Sequence, residues 1–389
     1  MACLVRDNNR VYDAIEVLHE QGFEGLAEIV SIVVNHAMEL ERSRHLRADP
    51  YERTEERTGY ANGYKNKTLN TRIGKLNLQV PQVRDSSFYP SALDRGMRSE
   101  RALKLAVAEM YVQGVSTRNV KKITEELCGF EVSSTEVSRA AKLLDEELEQ
   151  WRNRPLGACD YLYLDARYEK VRRNKTVSDS AVLVAYGVDT NGKRSILGIS
   201  VSMSEHEVHW RDFLSSLLER GLHGVKLVIS DAHAGLKAAK QAMIPTVPWQ
   251  RCQFHLQQNA QSYAPKRSMK KEIASDIRSV FNAPDGEEAK RLLQKIIKKY
   301  EKSAPELSKW METSVPESLT VMTFPEDHRK RLRTSNIAER VNRELKRRTK
   351  TVGIFSNVES CLRLVTALAA EMDEEWQVAS RYMSAVEVI

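Results

Sequence analysis

Four short apolar runs in the middle of the sequence have the length and composition of β-strands: residues 161–164, 181–188, 194–201 and 226–230. The turn sequence Asp189-Thr-Asn-Gly192 predicts that the second and third strands form a hairpin. Between the third and fourth strands, residues 207–220 carry apolar side chains at helical spacing. The predicted order is therefore strand, strand, strand, helix, strand. A crossover through a helix favours a fourth strand that returns parallel to the first.

This order is that of a ribonuclease-H-like core, and the predicted fold class is α/β. Residues 246–251 are a candidate fifth strand. Residues 256–328 are helical in pattern, rich in Lys and Glu and divided by prolines, so we interpret them as a helical insertion. The core then comprises residues 155–255 and, after the insertion, the helices of residues 329–389.

The N-terminal part of the chain is predicted to be mainly helical. Residues 1–56 carry apolar side chains near helical spacing, with a break near Gly22 and Gly25. Residues 57–98 have a different character and predict a short β/loop region with a hairpin turning near Gly74.

Residues 99–154 predict three helices that resemble a helix-turn-helix, a shape that places one helix in the DNA major groove. The third helix begins at the capping box Ser133-Ser-Thr-Glu136 and runs to about Trp151. An ordinary three-helix packing unit explains the same pattern, and the sequence does not identify which helix would read bases. The candidate DNA contacts in this region are basic residues: Arg118, Lys121, Lys122 and Arg139.

Two aspartates stand where predicted strands end. Asp165 follows the first strand and Asp231 follows the fourth, so in a parallel pair both carboxylates emerge at one edge of the sheet. A third acid, Glu339, lies on a helix after the insertion. Carboxylate oxygens suit hard divalent cations, and two cations about 3.5–4 Å apart can clamp the attacking and leaving oxygens of a phosphodiester. The prediction is a site for two Mg²⁺ ions, with Mn²⁺ as a substitute, because no Cys/His cluster offers softer ligands.

The positive charge of the chain is concentrated near its C-terminal end. The whole sequence has 60 basic and 53 acidic residues, a net charge of +7, and residues 329–350 contain ten basic residues against two acidic ones. On a helix, Glu339, Arg343 and Lys346 share one face, which brings Lys346 near a DNA phosphate at the metal site. A solvated face with internal ion pairs such as Arg340–Glu344 is the alternative. The candidate DNA contacts here are Arg340, Arg343, Lys346, Arg347 and Arg348.

The cysteines and histidines give weaker signals. The segment Cys252-Gln-Phe-His255 has no second Cys/His pair at a zinc-finger distance, so we reject a zinc site. A buried structural pair and a histidine at the edge of the active site both remain open, and His233 is equally ambiguous. Five scattered cysteines favour a reducing compartment, and the longest early apolar run, residues 29–34, is too short to span a membrane. A cytoplasmic protein without a membrane partner is expected.

Four segments in this order resemble the Mutator-type bacterial insertion-sequence transposases, a family of DDE transposases: residues 163–172, 230–236, 249–256 and 334–355. The resemblance implies a ribonuclease-H-like fold with a helical insertion and a catalytic triad of Asp165, Asp231 and Glu339. It maps the family's basic residue after the Glu onto Lys346 and its Cys-x-x-His element onto Cys252 and His255. It also implies a homodimer that binds the terminal inverted repeats of its element, together with target DNA, in association with the nucleoid.

The predicted function is metal-dependent DNA strand cleavage followed by strand transfer. One alternative is a ribonuclease-H-like nuclease without strand transfer, which would give no joined product from a pre-cut end. The other is a transposase-derived DNA-binding regulator with a dead site, against which the three intact acids argue.

Overall fold

A computed structural model describes residues 2–84, 88–93 and 98–384, with side chains from residue 10 onward apart from that of Asn336. The chain divides into two compact units, residues 1–143 and 144–389. Among the described residues, none of the helices has the length and apolar character needed to cross a bilayer.

The first unit begins with two helices and a β-hairpin, as predicted: α1 (Ala2–Gln21), α2 (Leu26–Leu46), β1 (Ala61–Thr71) and β2 (Gly74–Val83). A short 3₁₀ turn over Gly22–Gly25 separates the two helices. Gly74 opens β2 with a φ of +120°, which a side chain would strain. Every second residue of β2 from Leu76 to Val80 is buried with Met38 of α2, so the hairpin lies on that helix.

Three further helices complete the first unit: α3 (Arg101–Val112), α4 (Thr117–Cys128) and α5 (Ser134–Ala141). Gly129 ends α4 in a left-handed conformation, and Ser133 and Glu136 form the predicted capping box of α5. The prediction that the third helix continues to Trp151 is wrong. A 3₁₀ turn at Lys142–Leu144 intervenes, and the helix beyond it belongs to the second unit.

That helix, α6 (Asp145–Asn153), is held by the C-terminal helix of the chain, α15 (Val358–Val378). Arg363 of α15 donates two hydrogen bonds to the Asp145 carboxylate, at 2.6 and 2.9 Å. Arg152 donates to the Thr366 hydroxyl at 3.3 Å. These long-range contacts, which local periodicity does not encode, explain why the predicted helix is divided.

The second unit is built on one five-stranded sheet with the spatial order β5-β4-β3-β6-β7. Its strands are β3 (Tyr161–Arg173), β4 (Thr176–Val188), β5 (Arg194–Ser202), β6 (Leu227–Ser230) and β7 (Trp249–Arg251). The first three are antiparallel neighbours, and β6 and β7 continue the sheet in parallel from β3. The crossover from β5 to β6 runs through α7 (Glu207–Glu219), and α8 (Ala234–Met243) leads to β7. The predicted order of strands and helix is confirmed.

The prediction that the first strand ends at Asp165 is wrong. β3 continues for eight more residues, paired with β4 as far as Arg173 and Thr176. A two-residue turn of Asn174 and Lys175, both with positive φ, closes this hairpin. The extension carries alternating polar residues, so a search for apolar runs does not detect it.

The helical insertion lies between β7 and the C-terminal helices, and the structure describes it as helices throughout: α9 (Gln253–Ala260), α10 (Lys270–Phe281), α11 (Gly286–Tyr300), α12 (Pro305–Ser314) and α13 (Glu326–Leu332). The basic segment forms α14 (Asn336–Val352). The apolar faces of α10, α11, α14 and α15 share one core with a face of the sheet. The insertion is therefore packed on the sheet that carries the aspartates.

Candidate active site

The register of the parallel strands places Asp165 beside Asp231. β3 and β6 pair Tyr161 with Leu227 and Tyr163 with Ile229. The same offset relates Asp165 to Asp231, two residues beyond the last pair. Parallel neighbours lie about 4.8 Å apart, so the backbone itself brings the two carboxylates to one edge.

The edge of β3 is left without a strand partner around Asp165. Pairing with β6 stops at Tyr163, and the next contact on that side is a bridge between Val171 and Phe355. Phe355 follows Gly353, which ends α14 with a φ of +72° and turns the chain back to the strand. The Phe355 backbone exchanges hydrogen bonds of 2.9 Å with Lys170 and Arg172. Asp165 therefore lies in a gap that is closed at both ends.

Helix α14 covers this gap. Asp165, Arg167 and Glu169 alternate onto one face of β3. Asn342 donates a hydrogen bond from its side-chain amide to the Asp165 carboxylate, and Arg167 donates to the Asn342 carbonyl at 2.6 Å. Seven residues further along α14, the Thr349 hydroxyl donates a hydrogen bond to the Glu169 carboxylate at 2.9 Å. These polar contacts fix the position of α14 over Asp165.

Glu339 is not brought into contact with either aspartate. It lies in the first turn of α14 with its side chain exposed. Asn342, which does reach Asp165, is three residues further along the helix, a spacing that makes the two side chains neighbours. Among the described residues, no group of three or more His, Cys, Asp or Glu is gathered closely enough to hold a metal ion. The two aspartates are thus assembled, and Glu339 stands about one helical turn away.

Burial dominates the electrostatics of Asp165. Burial raises the pKa of this carboxyl to about 6, and the Asp231 carboxylate adds to the rise. The hydrogen bond from Asn342 and the positive charge of His255 act in the opposite direction without cancelling it. Two nearby carboxylates in a dry setting need compensating positive charge at neutral pH.

His233 and Glu205 flank Asp231. The His233 backbone N–H donates to the Asp231 carboxylate at 3.2 Å, and its imidazole Nδ1 lies 3.8 Å from a carboxylate oxygen of Glu205. Burial raises the pKa of Glu205, against the effect of His233. Gly235 allows this approach, because a Cβ there would lie 2.2 Å from the Glu205 carbonyl oxygen.

Cys252 and His255 form a coupled pair on the other flank. Burial acts to raise the pKa of the Cys252 thiol, but hydrogen bonding with His255 and Ser335 outweighs it and the pKa is lowered. The pKa of His255 is raised to about 9, chiefly by Cys252 and further by Asp165 and Asp231. The result is an imidazolium close to the carboxylate pair. Both alternatives that the sequence left open therefore have structural support.

The turn at Cys252 also ties together the segments that carry the acids. The Cys252 N–H donates to the Ser230 carbonyl at 2.7 Å, next to Asp231. The Ser335 hydroxyl donates to the Cys252 sulfur at 3.5 Å, and the Gln253 N–H donates to the Arg333 carbonyl at 2.9 Å. Ser335 precedes α14 and makes no side-chain cap for it, because its hydroxyl is turned to Cys252. One buried turn thus joins the strand of Asp231 to the helix of Glu339.

The basic residues of α14 that the sequence proposed as DNA contacts divide into two groups. Arg343 and Lys346 are exposed, and neither forms an ion pair with any residue that the structure describes. Arg347 and Arg348 both pair with Glu344, and Arg340 pairs with Glu375 of α15 at 3.7 Å rather than with Glu344. Arg348 is only 8% exposed, a setting that removes support for a phosphate contact by this residue.

In the first unit, the predicted DNA contacts lie on the outer surface of α4 and α5. Arg118, Lys122 and Arg139 are exposed. Lys121 is also exposed and pairs with Glu131 at 2.7 Å. These positions leave the four residues accessible to a ligand.

Sequence reasoning missed Asn342, Glu205 and Gly235. Asn342 carried a usable signal, because a polar residue three positions after Glu339 falls next to it on a helix. Gly235 carried another, since a glycine in the first turn of a helix is unfavourable unless something approaches it closely. Glu205 lies in a loop that approaches Asp231 only through the fold and gave no signal.

An α/β chain with two adjacent strand-borne aspartates under a basic helix matches the family model described as "Transposase, Mutator family" over residues 5–379. The chain belongs to this family of transposases. It is 55% identical over 380 residues to the transposase for insertion sequence element IS406 from Burkholderia multivorans, which covers 97% of this chain and 98% of that protein. Identity to the ISRM5 transposase of Rhizobium meliloti is 45% over 362 residues, covering 93% and 91% of the two chains. The IS256 transposase of transposon Tn4001 from Staphylococcus aureus is 38% identical over 361 residues, covering 91% of each.

Proposed function

We propose that this protein is a DDE transposase that cleaves DNA at the ends of its insertion element and joins those ends to target DNA. The catalytic core would be ribonuclease-H-like, and the acids would be Asp165, Asp231 and Glu339. The single observation that carries the proposal is the strand register that sets Asp165 beside Asp231 under a helix bearing Glu339.

The donor set suits hard divalent cations. Asp165 and Asp231 offer carboxylate oxygens, and the Asn342 side-chain oxygen is buried without a hydrogen-bond partner among the described residues. Asp165 and Asp231 would hold Mg²⁺ or Mn²⁺, and Glu339 would complete the set from α14. A divalent cation supplies, when bound, positive charge that offsets the charge developing on the attacked phosphate.

The side chains of the protein position the reactants in two successive steps. In the first, a water oxygen forms a bond to phosphorus as the bond to the 3′ oxygen breaks, which leaves a 3′-hydroxyl and a 5′-phosphate. In the second, that 3′-hydroxyl attacks a target phosphodiester and displaces its 3′ oxygen. Asn342 and Arg167 keep Asp165 and α14 in place, and Lys346 and Arg343 would hold the DNA backbone.

The DNA partners would be the terminal inverted repeats of the element and the target duplex. Exposed Arg118, Lys122 and Arg139 on α4 and α5 support end binding by the first unit. A homodimer would bring two ends together. Cytoplasmic location with nucleoid association follows from this role.

The test is Asp165→Asn with a labelled end duplex. The substitution keeps the shape and removes one charge, so we expect cleavage to fall by at least about 10²–10³-fold while end binding is retained. A wild-type protein that joins a pre-cut end to target DNA separates a transposase from a nuclease. Cleavage by the purified Asp165→Asn protein at the wild-type rate would reject the assignment of the triad.

A further inference from the structure

A cluster of basic residues follows α9, away from the residues assigned above. Four of the six residues from 266 to 271 are basic: Lys266, Arg267, Lys270 and Lys271. Lys270 is half-buried and the others are exposed. No acidic residue lies between Ala264 and Lys271, and none of the four forms an ion pair with a described residue. This cluster therefore differs from the arginines of α14, most of which are paired with acids.

Folding does not account for this placement. Lys270 and Lys271 occupy the first turn of α10 beside Glu272, and their positive charge opposes the helix dipole. The helix is held instead by its opposite face, since Ile273, Ile277 and Val280 are buried in the core. The cations are not placed where the helix dipole favours them, and the apolar face holds the helix.

Helix α9 connects the cluster to the carboxylates. It begins at the Cys252 turn, next to His255, and its eight residues rise about 12 Å. Its outer side presents Phe254, which is 42% exposed, and Gln258. Tyr263 follows, 36% exposed and stacked on Trp310 with ring centroids 5.0 Å apart. The surface leading from the carboxylates thus carries two exposed aromatic rings and then the four cations.

We propose that α9 and the 266–271 cluster form a track for the DNA backbone leading away from the scissile phosphate, with Phe254 stacking on a base near that phosphate. The inference rests on the proposed function. Phosphodiester oxygens match the unpaired cations, and an exposed ring is the usual platform for an unstacked base. The duplex could be the element end or the target, and both present the same chemistry.

The experiment compares two charge-matched variants of the full chain. The first is Lys266→Gln, Arg267→Gln, Lys270→Gln and Lys271→Gln together. The control neutralises four exposed lysines of α11 and the turn after it: Lys290, Lys295, Lys298 and Lys302. Binding is measured across a salt series with chelator present, using an end duplex in one arm and an unrelated target duplex in the other.

Each lost phosphate contact lowers the slope of log affinity against log salt by about 0.9, so the cluster variant should lose up to about 3 to 4 in one arm or both. The duplex whose slope changes, either the element end or the target, is the DNA that the cluster contacts. The control should lose less than about 1. Equal slopes for the two variants in both arms would overturn the proposal. This assay measures binding without cleavage. Its result can therefore be interpreted even if the assignment of Asp165, Asp231 and Glu339 as catalytic acids is wrong.

Two further variants keep the test informative. The pairs Lys266→Gln/Arg267→Gln and Lys270→Gln/Lys271→Gln should each remove about half of the slope change, with unfolding curves like those of the wild type. Phe254→Ala should weaken binding of an end duplex by roughly tenfold, and Phe254→Tyr should restore it. Failure of Tyr to restore binding would remove Phe254 from the track.

Discussion

Asp165 and Asp231 differ from Glu339 in how the chain holds them. The aspartates are placed by the register of two parallel strands in the middle of a buried sheet. Glu339 is exposed on a helix that meets the sheet through side chains, notably Asn342 and Thr349. Half of the candidate site is therefore fixed by backbone pairing, and the other half depends on the docking of a helix.

This difference indicates where adjustment can occur. A shift of the strand register by one residue would move every side chain of the strand to the other face of the sheet. A helix that meets the sheet through side-chain packing and hydrogen bonds can move by fractions of an ångström when DNA or metal binds. The absence of a gathered three-acid cluster among the described residues is consistent with this arrangement.

The largest expected effect is the loss of cleavage when Glu339, the acid on α14, is neutralised. Glu339→Gln should lower cleavage by more than about 10²-fold without changing the thermal unfolding temperature, because the side chain is exposed. Glu344→Gln is the matched control on the same helix. It removes ion pairs with Arg347 and Arg348, so it should cost about 1 kcal/mol of stability yet retain cleavage. Unimpaired cleavage by Glu339→Gln would show that the helix half contributes no acid.

A smaller effect, on the Mg²⁺ dependence of cleavage, is expected at the Cys252 turn, which joins the strand of Asp231 to α14. Cys252→Ala removes the acceptor for Ser335, so α14 should be held less firmly and the Mg²⁺ concentration for half-maximal cleavage should rise about tenfold. Cleavage at saturating Mg²⁺ should largely recover, and Cys252→Ser should restore much of the metal affinity. Cys159→Ala, an equally buried cysteine at the far end of β3, should leave the Mg²⁺ dependence unchanged. The same Mg²⁺ shift in both variants would mean that Cys252 has no special positioning role.

The smallest effect is a change in thermal stability on substitution of Asp165, which is measured without DNA. In the folded chain the pKa of Asp165 is about 6, whereas an unfolded aspartate releases its proton near pH 4. The folded state is therefore penalised as pH rises from about 4 to 6, and the penalty persists above pH 6. With chelator at pH 7.5, Asp165→Asn should unfold a few degrees higher than the wild type, a gain of about 1–3 kcal/mol.

The gain should shrink near pH 5, where the wild-type carboxyl is largely protonated. Asp179→Asn, at an exposed position on β4, should change neither curve. Equal unfolding temperatures for Asp165→Asn and the wild type at both pH values would contradict the burial of Asp165 in the metal-free protein.

Local pattern predicted the sheet order because buried strands read as apolar runs, and residues 181–188 of β4 and 227–229 of β6 are apolar where they cross the core. It failed at the outer half of β3, where polar residues alternate along the pairing with β4 and the bridge on the other edge comes from Phe355, far away in sequence. It failed at α6 because Arg363, which holds that helix, comes from the other end of the chain.

The candidate site was predictable to a similar extent. Asp165 and Asp231 follow apolar runs, so their proximity could be inferred from strand order. The partners of these acids could not, because Asn342, Glu205 and Cys252 reach them from a helix, a loop and a turn whose approach depends on tertiary packing. The sequence also could not predict which arginines of α14 are paired with acids, because Glu375 and Glu371 come from another helix.

The bridge between Phe355 and β3 has a consequence for synthesis. Ribosomes deliver the first unit, both aspartates and the whole insertion before they deliver the segment that closes the far end of the gap. A nascent or prematurely terminated chain that ends before this segment lacks the bridge that closes the far end of the gap over Asp165. On the proposed function, competence for cutting would then arise only in nearly finished polypeptides.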